Sequence, residues 1–213
     1  MKANRERGFT LIEMMVTVSI AAVLLALAIP NMGVFVRNNR LTSAANDILH
    51  SLQLARTEAV KRGVNVVMCG TSNPDASDSA IACTNTLTGW FVFVDDNGNW
   101  SHDSGEAVLQ KRALVNSTVT VKADGDYRES YAPTGFANTA GTKNPTYNVV
   151  FCDSRGNAAL NTAGTVTYSA ARGVVIATTG RAVVTNVKTD SGSTSRPTVT
   201  KTLTNIGAGT TCP

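Results

Sequence analysis

A chain of 213 residues and 22.3 kDa, with 43% hydrophobic and 16% charged residues, can bury a sizeable core in one large domain or two small ones. Its apolar residues crowd into one N-terminal run, whereas Thr, Ser, Asn and Gly dominate after residue 70. The formal charge of +4 falls to +2 if Met1–Gly8 is removed, since three of 19 basic and one of 15 acidic residues leave with it, so bulk charge excludes nothing but a strongly cationic nucleic-acid binder.

The first element is Phe9–Ile29, FTLIEMMVTVSIAAVLLALAI, a run of 21 residues with a single charge at Glu13. At ~1.5 Å per residue a helix of this length spans about 30 Å, the thickness of a bilayer core. Lys2, Arg5 and Arg7 precede it, which places the N-terminus in the cytoplasm and the rest across the membrane. A secretory signal peptide has a shorter apolar core followed by a small-x-small site, and Pro30-Asn31-Met32 is not such a site. A plain anchor fits the length but leaves Glu13 unexplained. A carboxylate at mid-membrane costs ~2.5–3.5 kcal/mol and by default marks function. A cation or N-terminal amine on a neighbouring subunit would neutralise it, and in low dielectric such a pair is strong.

The string Arg7-Gly8-Phe9-Thr10-Leu11-Ile12-Glu13 resembles the prepilin peptidase site of type IV pilins and type II secretion pseudopilins. The resemblance implies cleavage between Gly8 and Phe9, N-methylation of Phe9, an assembly role for Glu13 as fifth mature residue, and a helix kink at Pro30. It further implies as partners the prepilin peptidase, other major and minor pilins or pseudopilins, and an inner-membrane assembly platform. The expected location is the inner membrane, single-pass with a cytoplasmic N-terminus and a periplasmic head, and then the filament. The expected organisation is a leader over 1–8, a membrane and filament-core helix over 9–29, an amphipathic continuation over 30–62 and a β-rich head over 63–213.

Past Pro30 the helical pattern resumes. Leu41, Ala45, Ile48, Leu52, Ala55 and Ala59 recur at alternating four- and three-residue steps and form one apolar stripe. Arg37, Arg40, Asp47, Gln53, Arg56, Glu58 and Lys61 lie off it. Lys61 and Arg62 suit the negative end of a helix dipole, and Gly63 is a natural stop. The helix is expected over 9–62, about 80 Å long.

From Val64 onward the texture is β. Strands are expected at Asn65–Met68, Gly89–Val94, Ala107–Leu114, Thr118–Val121, Tyr147–Cys152, Gly164–Tyr168, Gly173–Ala177 and Ala182–Val187, with loops at 71–80, 134–146 and 189–200. One long helix followed by many short strands predicts an α+β fold, the helix packed on a C-terminal antiparallel β-sandwich head. Met68-Cys69-Gly70, Cys83, Gly89-Trp90-Phe91-Val92-Phe93-Val94-Asp95, Phe151-Cys152-Asp153-Ser154-Arg155-Gly156, Thr179-Gly180-Arg181 and a terminal cysteine resemble the GspH/FimT/FimU group of minor pilins and pseudopilins.

Four cysteines behind a membrane segment point to an oxidising compartment. No C-x-x-C pair is present and His50 and His102 stand apart, which disfavours zinc. Of the three pairings available, sequence order and the resemblance favour Cys69–Cys83 and Cys152–Cys212. The segment from Asp95 to Glu106 aligns with a twelve-residue calcium loop, with Asp95, Asn97, Asn99, Ser101, Asp103 and Glu106 at donor positions. Trp100 stands where that loop wants glycine, and the competing reading is a hairpin turn rich in Asp, Asn and Gly. No other cofactor is expected.

Some FimT-like proteins are DNA receptors in natural transformation, and the resemblance implies a C-terminal Gly-Arg-x-Arg motif for that role. Here Gly180-Arg181-Ala182-Val183 keeps the first arginine and has valine at the second position. Arg181, Arg172 and Lys188, with Arg196 and Lys201, are the cations available for phosphates. No nucleophile elbow, metalloprotease motif or phosphate-binding loop occurs, so no enzymatic activity is expected.

Overall fold

The structure, a computed structural model, describes residues 8–114, 118–123, 127–138, 147–155, 159–163 and 166–190. Its elements in order are α1 (Leu11–Arg62), β1 (Asn65–Thr71), β2 (Gly89–Asp95), β3 (Val108–Ala113), β4 (Thr120–Ala123), β5 (Arg128–Tyr131), β6 (Tyr147–Cys152), β7 (Ala159–Ala163), β8 (Val166–Ile176) and β9 (Ala182–Asp190). The chain forms two compact units, Met1–Asn39 and Arg40–Pro213, described separately below.

In the first unit the helix opens at a side-chain cap: Glu13 N donates to Thr10 Oγ1 at 3.3 Å, and the Glu13 carboxylate sits in the first turn, where the dipole is positive. The expected 21-residue spanning helix is not one straight span. Among the described residues no single helix is both long and apolar enough to cross a membrane; Leu11–Leu27 and Met32–Arg62 pass that test only together, as a bent pair. Pro30 lies in the break between them, and its missing N–H removes one backbone hydrogen bond there.

In the second unit the sequence-derived stripe is the core-facing side of the helix: Leu41, Ala45, Ile48, Leu52, Ala55 and Ala59 are all fully buried. They join Val66, Met68, Trp90, Val92, Val121, Val149, Phe151, Val174 and Ile176 in one apolar cluster drawn from both sheets. Small alanines on the stripe let the helix backbone approach the sheets closely. Ser51 interrupts the stripe as a polar node, accepting from Trp90 Nε1 at 2.8 Å and donating to Gln110 Oε1 at 2.6 Å, so the one polar atom of the buried indole is satisfied. The helix ends at Gly63, whose φ of +69° and bond to Ala59 O at 2.9 Å make the left-handed stop.

The sheets are antiparallel throughout. One has the order β3-β2-β1-β5; the other runs β4-β6-β8-β7, with β9 also paired to β8. The α+β architecture is as expected, and the strand boundaries differ in instructive ways. The expected strands 164–168 and 173–177 are one strand, β8, with a register shift between Tyr168 and Arg172. β9 pairs along its whole length, which also takes it through position 190, where a loop was expected to begin at 189. β4 lies two residues later than the expected 118–121. β5, with sequence RESY, and β7 were not foreseen. Two charged residues out of four erase the periodicity of β5, and its pairing with β1 across about 60 intervening residues is invisible locally.

Every residue of β2 is buried. One face meets the helix. The other carries Phe91 and Phe93 into a second cluster with Val67, Cys69 and Ile81. The Cys69–Cys83 disulfide, Cα–Cα 5.5 Å, ties the following loop over that face. His102 seals the edge, packing edge-on to both rings and placing its nitrogens 3.0 Å from Ile81 O and 3.3 Å from Glu106 O.

Candidate functional site

At the N-terminus the geometry is that of an uncovered apolar rod. Gly8 and Phe9 precede the helix, and Phe9 is 79% exposed. From Phe9 to Val36 every large apolar side chain is at least 38% exposed on all sides of the helix. A helix apolar all round needs lipid or other helices around it. Its hydroxyls are already silenced: Thr17 Oγ1 donates to Met14 O at 3.0 Å and Ser19 Oγ to Met15 O at 2.6 Å. Glu13 is exposed and is the sole charge between Phe9 and Val36.

The head holds a second arrangement, built where two turns meet the helix. Gly135 and Gly180 both have a φ of +77°. A Cβ on Gly180 would fall well inside 3.0 Å of the Gly135 carbonyl oxygen, so only glycine permits the two turns to touch. Arg56 clamps them, its Nε donating to Gly135 O at 2.9 Å and its Nη2 to Thr179 O at 3.2 Å. Beside the clamp lies a cavity of about 220 Å³ lined by Leu52, Gln53, Arg56, Tyr131, Gly180 and Arg181. Tyr131 is fully buried and its hydroxyl has no hydrogen-bond partner among the described residues. Burial chiefly, and then Glu129, push its ionisation upward, while the Arg56 charge opposes. Glu129, two residues before it and on the same face of β5, is 8% exposed, and burial raises its carboxyl to about 8. It is therefore protonated at neutral pH.

Nothing in the local sequence marks Arg56, Glu129 or Tyr131. Arg56 reads as one more solvated cation off the stripe, and only the return of two distant turns gives it partners. Gly180-Arg181 was legible as a motif, and its glycine has a packing reason. Arg181 is exposed, whereas Arg172 donates to Ala170 O at 3.0 Å and Ala171 O at 3.3 Å. The backbone of Lys188 pairs with Tyr168, and its side chain lies outside the described residues, as do Arg196 and Lys201. Of the three cations named for DNA, only Arg181 and Arg172 have side chains among the described residues.

The loop from Asp95 to Glu106 does gather Asp95, Asn97, Asn99, Asp103 and Glu106, but as a closed hydrogen-bond network. The Asp95 carboxylate accepts from the backbone N–H of Gly98, Asn99 and Trp100. Asp103 Oδ2 accepts from the side-chain amides of Asn97 and Asn99 at 2.8 and 2.7 Å, and these bonds hold its carboxyl below the usual range. Glu106 accepts from Asp96 N and Asp103 N. Trp100 adopts the left-handed φ of +64° that a calcium loop reserves for glycine. The carboxylates of Asp95, Asp103 and Glu106 thus accept from the loop's own backbone and side-chain N–H groups. Among the described residues no group of three or more His, Cys, Asp or Glu side chains could hold a metal ion. Cys152 is disulfide-bonded. Its expected partner, Cys212, lies outside the described residues.

A family model described as type II transport protein GspH matches residues 44–190, and a model of the prokaryotic N-terminal methylation motif matches residues 3–29. Two crystal structures of the Pseudomonas aeruginosa type IV minor pilin FimU are similar. One has 22% identity and a TM-score of 0.47, covering 71% of this chain and 92% of that one. The other has 18% identity and a TM-score of 0.46, covering 68% and 92%. No curated protein matches the chain.

Proposed function

Because the chain belongs to the GspH family of type II transport proteins and carries the N-terminal methylation motif, we propose that it is a processed minor pilin or pseudopilin that primes or caps a type IV pilus or type II secretion pseudopilus. The observation that carries this reading is the exposure of every large apolar side chain from Phe9 to Val36, along a stretch whose single charge is Glu13. In the bilayer that surface is matched by lipid and the precursor waits. Cleavage after Gly8 creates a charged amine on Phe9, four residues from Glu13. A neighbouring subunit's Glu13 can then attract that amine, and in low dielectric the pair offsets the cost of holding either charge. Lipid contacts are exchanged for helix contacts at little hydrophobic cost, so the charge pair sets the register. The partners that follow are the prepilin peptidase, other pilin-type subunits and an inner-membrane platform.

Glu13→Ala tests the mechanism. Leader removal should proceed normally, read by the N-terminal sequence of the product. Incorporation into sheared filaments should fall at least about tenfold, because removing one partner of a buried ion pair costs ~3–5 kcal/mol. Normal incorporation of the variant would refute the pairing.

A further inference from the structure

We propose that the cavity beside the Arg56 clamp is a binding site for a carboxylate. Three observations converge there. Tyr131 lines the cavity, and its hydroxyl is completely buried and lacks a hydrogen-bond partner among the described residues, a state that buried polar groups seldom keep. Arg56 and Arg181 place two guanidinium charges on the same lining, and among the described residues neither forms an ion pair. Glu129, two residues before Tyr131 on the same face of β5, holds its proton at neutral pH and adds no negative charge beside them. The site therefore offers a neutral hydroxyl donor, the Gln53 amide and two cations to a guest that must bring negative charge.

Size and shape choose among anions. A space of about 220 Å³ admits a small acid or the end of one side chain, and a planar carboxylate matches the fork of the Arg181 guanidinium in two parallel hydrogen bonds, with Arg56, whose Nε and Nη2 hold the turns, adding its charge. A phosphodiester flanked by sugars cannot bring its oxygens down to a fully buried hydroxyl. Free small acids and an acidic side chain presented by another chain share this chemistry.

The full chain in detergent micelles, labelled with 15N, is titrated with sodium acetate, with N-acetylglutamate α-amide as a side-chain surrogate, and with sodium phosphate and sodium chloride at matched ionic strength. Acetate should move the Gly135, Gly180 and Arg181 amides saturably. Tyr131→Phe and Arg181→Gln should each weaken acetate about tenfold, the loss of one hydrogen bond to a charged group, with the remaining spectrum unchanged. Tighter binding of the surrogate than of acetate assigns the carboxylate to a protein side chain; equal or weaker binding assigns it to a free acid. Linear shifts equal to those with chloride would mean water alone fills the cavity and would overturn the proposal. Phosphate binding more tightly than acetate would overturn its carboxylate class. Arg181 is exposed, so Arg181→Gln leaves the fold intact and decides the matter even if Tyr131→Phe unfolds.

Discussion

Replacing Glu129 with glutamine should remove a pH-dependent weakness from the head. In the folded chain burial raises this carboxyl from 4.5 to about 8, while in the unfolded chain it returns to its ordinary value. Between those limits the folded state holds a proton that the unfolded state has released. Stability from this group is therefore complete below about pH 4.5, declines as pH rises and is flat above about pH 8. At ~1.4 kcal/mol per pH unit the full loss approaches about 5 kcal/mol, of which about 3 kcal/mol is already present at neutral pH. Glutamine matches the protonated acid in shape and does not titrate. The free-energy difference between Glu129→Gln and the parent should grow across that interval by the same amount. Guanidinium unfolding of the full chain in micelles can be followed by tryptophan fluorescence, since Trp90 is 1% exposed in the same core. Other titrating groups are common to both proteins and cancel in the difference. A difference that stays constant from about pH 5 to pH 8 would show that Glu129 is ionised in the fold, and the burial argument would be wrong.

The two left-handed glycines that bracket the head separate crowding from backbone preference. Gly180→Ala should lower stability by at least ~3 kcal/mol in the same unfolding assay, because its Cβ meets the Gly135 carbonyl, whereas Gly63→Ala, with nothing within 4 Å, should cost only ~1 kcal/mol. Equal costs at the two positions would mean the turns do not touch. Ser51→Ala leaves Trp90 Nε1 without an acceptor and should cost ~1–3 kcal/mol, with a shift in the Trp90 emission maximum; an unshifted, equally stable variant would place the indole elsewhere.

What the chain order alone settles is whatever has a short period or a local chemical grammar. The match to the N-terminal methylation motif over residues 3–29, the lone carboxylate at Glu13 and the break at Pro30 are local signals, legible because each lies within one short stretch of chain. The helix stripe from Leu41 to Ala59 is legible for a related reason: a 3.6-residue period repeats within one element, and all six of its members are buried. Gly63 as a stop belongs to the same class.

Tertiary structure decided everything that depends on which strand lies beside which. β5 exists as a strand because β1 offers an edge to it, and that pairing is what buries Glu129 and Tyr131. Arg56 becomes a clamp only when turns about 80 and 120 residues downstream arrive beside it. β2 is buried on both faces because a disulfide-held loop covers the second one, a fact no alternation of residue types records. In the Asp95–Glu106 segment spacing aligns the oxygens with a metal loop, and the fold sets the carboxylates of Asp95, Asp103 and Glu106 as acceptors from the loop's own backbone and side-chain N–H groups. Local periodicity reports how one element meets an average environment. Which polar group ends up paired, protonated or left without a partner is set by contacts between segments far apart in the chain, and those are decided only when the sheets close on the helix.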